Sequence, residues 1–161
     1  MNKKERKLLQ LVELLRTQAN LNSIIESLPR GYISVKKISN HTYYYRQWRE
    51  GSKILSSYVE ESFLPSVKNK IMLRKNNEDL LRITKKDLRN VVRCVLSNKY
   101  LSEEQLQILK DNAKKDLLSK EDREAVLASE LSEFVSTKMG DNFVEGLVSY
   151  NQLLLTKWNL I

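Results

Sequence analysis

The chain has 161 residues, with 28 Lys and Arg against 20 Asp and Glu and a net charge of +8. An apolar content of 41% supplies a core and excludes general disorder, while four glycines and two prolines are too few for the turns of an all-β sandwich and favour helices. One cysteine, Cys94, and one histidine, His41, exclude an internal disulfide and a cysteine zinc cluster, and remove most metal or triad chemistry.

No apolar run approaches the roughly 18 residues of a membrane span. The leucines after the basic start are broken by Gln10, Glu13 and Arg16, unlike a signal peptide. The expectation is a soluble, cytoplasmic protein that is not an enzyme, with no cofactor, no metal and no membrane partner.

Lys3 to Leu28 reads as helix, with Leu8, Leu11, Val12, Leu15 and Ala19 on one face. Leu21, Ile24, Ile25 and Leu28 repeat the pattern in a shifted phase, which predicts a bend or break near Asn20. Pro29 ends the helix, and Pro29-Arg30-Gly31 is a turn. Residues 32–38, 42–49 and 53–59 are rich in β-branched and aromatic residues and are separated by Ser39-Asn40-His41 and Glu50-Gly51-Ser52. They predict a three-stranded antiparallel β-meander packed on a flanking helix.

The remainder reads as helices. Ser62 is a candidate cap, with Pro65 in the first turn. Asn76-Asn77 predicts an interruption, and Thr84 with Asp87 resembles a new start. Ser102 and Gln105 form a capping box. Ser119 caps a further helix that stops at Gly140, and a last helix carries Phe143, Leu147, Tyr150, Leu154 and Trp158. Leu153-Leu154-Leu155 puts apolar residues all round that helix, which requires burial within the chain or across a homo-oligomer interface. The fold class is therefore α+β, predominantly helical with one small meander.

Charge divides the chain. Residues 1–100 carry 21 Lys and Arg against 9 Asp and Glu, a balance of +12, and residues 101–161 carry 7 against 11, a balance of −4. This suggests a basic region, 1–100, and an acidic helical region, 101–161, meeting between Leu96 and Ser102 or packed as one domain. The basic region is suited to a polyanion.

Two constellations stand out. Along the middle strand, Tyr43, Tyr45, Gln47 and Arg49 point one way and Tyr44, Arg46 and Trp48 the other. Lys36, Lys37, Arg46, Arg49 and Lys53 surround these rings. Rings stack on bases or sugars, cations neutralise phosphate, and a β-ribbon enters a major groove. A buried unpaired guanidinium would cost several kcal/mol. That places Tyr43 and Tyr45 in the core and the Arg46–Trp48 face in water. The second constellation is helical. Arg82, Lys86, Arg89 and Arg93 form a basic stripe, beside an apolar stripe of Leu81, Leu88, Val92 and Val95.

The segment from Leu28 to Val59 resembles a hairpin of small, largely uncharacterised bacterial proteins from mobile-element or defence-associated loci. The matching residues are Leu28, Pro29, Gly31, Lys36, Lys37, Tyr43 to Tyr45, Arg49 to Gly51, Lys53 and Tyr58. The meander is also similar to the arm-site DNA-binding domain of phage-type tyrosine integrases. The integrase catalytic Arg, His and Tyr set has no place in this chain, so the resemblance implies a binding module.

The first functional expectation is non-enzymatic binding of nucleic acid, DNA rather than RNA and duplex in form. Its contacts would be Lys36, Lys37, Arg46, Trp48, Arg49, Lys53, Arg82, Lys86, Arg89 and Arg93. The alternative is a protein-binding inhibitor, such as an antitoxin or a phage anti-CRISPR or other anti-defence protein. It would block a nucleic-acid enzyme such as a nuclease effector.

Overall fold

The computed structural model describes residues 1–114 and 150–161. The helix and cap expected over residues 119–140, and the first part of the last helix, lie outside the described residues.

Asn2 and Glu5 start the first helix. Asn2 Oδ1 accepts the Glu5 backbone N–H at 2.8 Å and Glu5 Oε2 accepts the Asn2 N–H at 3.3 Å, so two otherwise orphaned donors satisfy each other's side chains. From there α1 (Lys3–Ser27) is one continuous helix, and the expected break near Asn20 does not occur. The shift in its apolar stripe has another cause. The chain forms two compact units, residues 1–20 with 83–161, and residues 21–82. Leu8, Leu11, Val12 and Leu15 are buried in the first unit, and Leu21 and Ile25 in the second. The stripe turns where the helix changes cores.

Arg74 fastens the end of α1. Its Nη1 donates to the carbonyls of Ile25 and Leu28, at 2.8 and 2.6 Å, and its Nε donates to Glu78 at 2.8 Å. These are carbonyls that a helix end leaves unpaired. Gly31 then turns the chain into the sheet with φ +104°.

The sheet has the order β1-β2-β3, antiparallel throughout: β1 (Tyr32–Ile38), β2 (His41–Glu50) and β3 (Lys53–Val59). Ser39 and Asn40 link β1 to β2, both at positive φ (50° and 68°), as a type I′ hairpin turn requires. Gly51, at φ +60°, opens the second turn. Val59 is the one buried strand residue; the others are half-buried or exposed.

A short 3₁₀ turn (Glu61–Phe63) holds Ser62, so Ser62 does not cap the following helix. Instead α2 (Leu64–Ser97) begins directly after it, with Pro65 in its first turn, and continues for 34 residues. Asn76-Asn77 does not interrupt it. Asn77 is buried, and its amide donates to the Leu73 carbonyl at 2.7 Å, so the side chain is satisfied inside the helix. Thr84 is likewise buried in mid-helix and starts nothing. α2 ends with Lys99 at φ 56°, the Tyr100 N–H on the Val95 carbonyl and the Lys99 N–H on the Leu96 carbonyl. That is a Schellman closure with a lysine where glycine is usual.

α3 (Glu103–Asn112) opens with the Ser102–Gln105 box, as its sequence indicates. α4 (Tyr150–Lys157) closes on Asn159 in the same left-handed conformation. Leu153, Leu154 and Leu155 are all buried in the chain's own core, beside Leu8, Leu11, Leu106 and Leu109. Asn151 is fully buried there and donates to the Leu109 carbonyl at 2.9 Å. The charge boundary coincides with the turn between α2 and α3, not with a division between compact units. Leu88, Val91 and Val95 belong to one core with Leu101, Leu106 and Leu109. Among the described residues, no helix is long and apolar enough to cross a membrane.

The two turn glycines predict unequal costs. A Cβ on Gly51 meets nothing within 4 Å, so Gly51→Ala bears only the left-handed penalty, about 1 kcal/mol. A Cβ on Gly31 would overlap the Gln47 carbonyl, so Gly31→Ala must also displace a backbone group of β2. Urea midpoints should fall for both variants, with Gly31→Ala the lower by a clear margin.

Candidate nucleic-acid interface

Residues directly opposed in an antiparallel ladder share a face. The register pairs Tyr45 with both Ser34 and Tyr58, Gln47 with Tyr32 and Ser56, and Arg49 with Ile54. One face therefore presents Tyr32, Lys36, Tyr43, Tyr45, Gln47, Arg49 and Tyr58. The other presents Ile33, Lys37, Tyr44, Arg46, Trp48, Lys53 and Val59.

The second of these faces meets the helices of its own unit. Arg46, Ser57 and Val59 line a cleft of about 430 Å³ with Leu28, Val67 and Lys70, bordered also by Tyr58, and Ile33 meets Ile71 of α2 across another that Tyr32 borders. Arg46 Nη1 donates to the Arg30 carbonyl at 2.8 Å, and its guanidinium lies 3.8 Å from the centre of the Trp48 ring. Burial, and then the neighbouring Arg30, hold the Arg46 pKa below its ordinary value, although an arginine there stays charged at neutral pH. Trp48 Nε1 donates to Glu50 at 3.3 Å, and Glu50 also pairs with Arg30 at 3.3 Å.

Tyr43 and Tyr45 are half-buried and not core, and Arg46 and Trp48 are half-buried as well, with partners in place of open water. The expectation assumed that a guanidinium turned inward would lack partners. The Arg30 carbonyl and the Trp48 ring provide them, which removes most of that cost.

Two rings of the tyrosine face keep much of their surface in water. Tyr58 remains 57% exposed and Tyr32 52%. The Tyr58 ring meets Tyr45 edge-on at 5.8 Å and lies 6.5 Å from Tyr43. Lys36 Nζ sits 4.8 Å above the Tyr45 ring, and the Tyr32 hydroxyl donates to Gln47 Oε1 at 2.8 Å. Arg49 is exposed at the edge of the same face. The strands contain one acid, Glu50, and it belongs to the opposite face.

The ten residues singled out from the sequence thus fall into three groups. Lys36 and Arg49 share the tyrosine face. Lys37 and Lys53 are exposed on the other face, towards the two hairpin turns, with Arg46 and Trp48 between them. Arg82, Lys86, Arg89 and Arg93 are exposed along α2, and Arg82 is paired with Asp79 at 3.3 Å. Arg89 and Arg93 form, with Lys85 and Lys110 of α3, the cationic rim of a groove of about 390 Å³ floored by Leu88 and Val92. Sequence reasoning missed Lys85 and Lys110 in this groove, and Tyr32 and Tyr58 on the sheet. Lys85 was within reach, since it lies at i−4 from Arg89.

A family described as a domain of unknown function (DUF6788) has a model that matches residues 2–69. That stretch holds α1, the whole sheet and the first residues of α2, so the tyrosine face lies inside it and the α2–α3 groove outside. No curated protein and no solved structure matches the chain.

The two faces predict opposite responses to truncation. Arg46→Ala removes a charge-assisted bond and uncovers Trp48, and should lower stability by about 1–3 kcal/mol. Lys36→Ala, which removes a single cation–π contact at an exposed site, should cost no more than about 1 kcal/mol. Thermal unfolding followed by circular dichroism checks the order; a larger loss for Lys36→Ala would mean that the tyrosine face is the packed one.

Proposed function

We propose that this protein binds nucleic acid through the tyrosine face of its sheet and performs no catalysis there. One observation carries the reading: a single sheet face holds four tyrosines, two of them exposed, with Lys36 and Arg49 and no acid. Aromatic rings beside unpaired cations suit bases and phosphates together. The resemblance of residues 28–59 to meanders of mobile-element and defence-associated proteins, and to the integrase arm-site domain, supports DNA as the partner and such a locus as the setting. Exposed Lys86, Arg89 and Arg93 offer further phosphate contacts.

A second reading is favoured by the α2–α3 groove. A cationic rim over an apolar floor also suits an acidic protein surface, as an inhibitor of a nucleic-acid enzyme would need. The two readings differ in what added DNA does. It should compete for the sheet and leave a complex formed through the groove intact.

Affinity of the full chain for labelled oligonucleotides should fall steeply between about 50 and 200 mM salt, because each neutralised phosphate releases counterion. The double variant Lys36→Glu with Arg49→Glu should weaken binding by roughly tenfold or more at low salt and flatten the salt slope by about one unit per lost contact. Fluorescence anisotropy measures both. If the intact chain binds neither duplexes nor single strands at low salt, the reading is wrong.

A further inference from the structure

We infer that the tyrosine face takes unpaired bases, so that the ligand is a single strand of DNA or RNA lying across the sheet with bases stacked on Tyr32 and Tyr58. The inference rests on the reading of that face as the nucleic-acid surface and adds the form of the substrate.

Accessibility comes first. Tyr58 and Tyr32 keep about half their surface in water, although each also borders a cleft against the helices of its unit. Both rings are also held before any ligand arrives. Tyr45 and Tyr43 brace the Tyr58 ring from the side, and the Tyr32 hydroxyl is tied to Gln47. A ring already fixed loses little freedom when a base stacks on it, which favours binding.

Spacing is the second point. Tyr58 is level with Tyr45 and Ser34, and Tyr32 is level with Gln47 and Ser56. The two tyrosines are therefore two strand spacings and one two-residue step apart, about 12 Å between Cα atoms. Stacked bases on each leave room for one nucleotide between them, over Tyr45 and Gln47. Lys36 and Arg49 stand on this same face to meet the phosphates.

Chemistry argues against a duplex here. Base faces in a duplex are covered by their neighbours, so tyrosine rings find nothing to stack on. Groove readout instead needs Arg, Lys, Asn or Gln aimed at base edges. Of the groups on this face able to read an edge, the Gln47 oxygen already accepts from Tyr32 and Lys36 lies over the Tyr45 ring, which leaves Arg49. The rings are the resource this face has in surplus, and unpaired bases are what use it.

The test compares labelled oligothymidine and oligouridine of about 15 nucleotides with a duplex of equal length, at one salt concentration, on the full chain. Both single strands should bind at least roughly tenfold tighter than the duplex. Tyr58→Ala and Tyr32→Ala should each weaken single-strand binding by roughly five- to a hundredfold and leave duplex affinity unchanged. Tyr58→Phe should bind like the parent and Tyr58→Leu like the alanine variant, which separates stacking from simple apolar contact even if the alanine variant is unstable. Equal or tighter duplex binding, or a Tyr58→Leu variant that binds like the parent, overturns the inference while leaving nucleic-acid binding in place. Absence of binding to all three probes overturns the underlying reading instead.

Discussion

The unit formed by residues 21–82 depends on where α1 stops, and Arg74 decides that. Its half-buried guanidinium takes the Ile25 and Leu28 carbonyls while Glu78 holds its other edge. Hydrogen bonds to a charged group are worth about 1.5–3 kcal/mol each, so this fork is a strong local determinant. Once the helix ends there, Pro29 prevents its continuation and Gly31 swings the backbone against β2. The Arg30 carbonyl then lies where Arg46 can reach it. With Arg46 drawn to that side, the alternate residues Tyr43, Tyr45 and Gln47 point the other way.

Net charge alone conceals two uses of cations. Arg30, Arg46 and Arg74 are committed to carbonyls, carboxylates or a ring. Lys36, Arg49, Arg89 and Arg93 are exposed and pair with no acid among the described residues. Arg49, Arg89 and Arg93 can neutralise a polyanion without breaking a native contact, whereas Lys36 also lies over the Tyr45 ring. The excess of +12 in residues 1–100 therefore overstates what is available to a ligand.

The sheet is unusual in burying so little. Val59 is its one buried residue, and the large fully buried side chains lie on the helices of the other unit. Its strands are held by their ladders, by the ring contacts on one face and by the Arg46 stack on the other. A three-stranded sheet with one solvated face is a viable arrangement. The solvated face then has few packing constraints, and its side chains are free to serve a ligand.

Much of the local structure was legible in the sequence. Pro29 with Gly31 marks the end of α1, runs of β-branched and aromatic residues between turn residues mark strands within a residue or two of 32–38, 41–50 and 53–59, and Ser102 with Gln105 marks the start of α3. These signals act over a few residues, through dihedral limits and short hydrogen bonds, so neighbours in sequence suffice to read them. Continuity of the helices was not legible. Asn20 and Asn76-Asn77 look like breaks, but a helix that serves two cores shifts its apolar phase without breaking, and a buried amide can bond within its own helix. Nor was the orientation of the sheet. Alternation states that Tyr45 and Arg46 lie on opposite sides; it does not state which side meets a helix, nor that Tyr58 joins Tyr45. Those outcomes were decided by tertiary contacts. Strand pairing set the register, and the Arg30 carbonyl and Trp48 gave Arg46 partners on the side that local chemistry alone would have left to water.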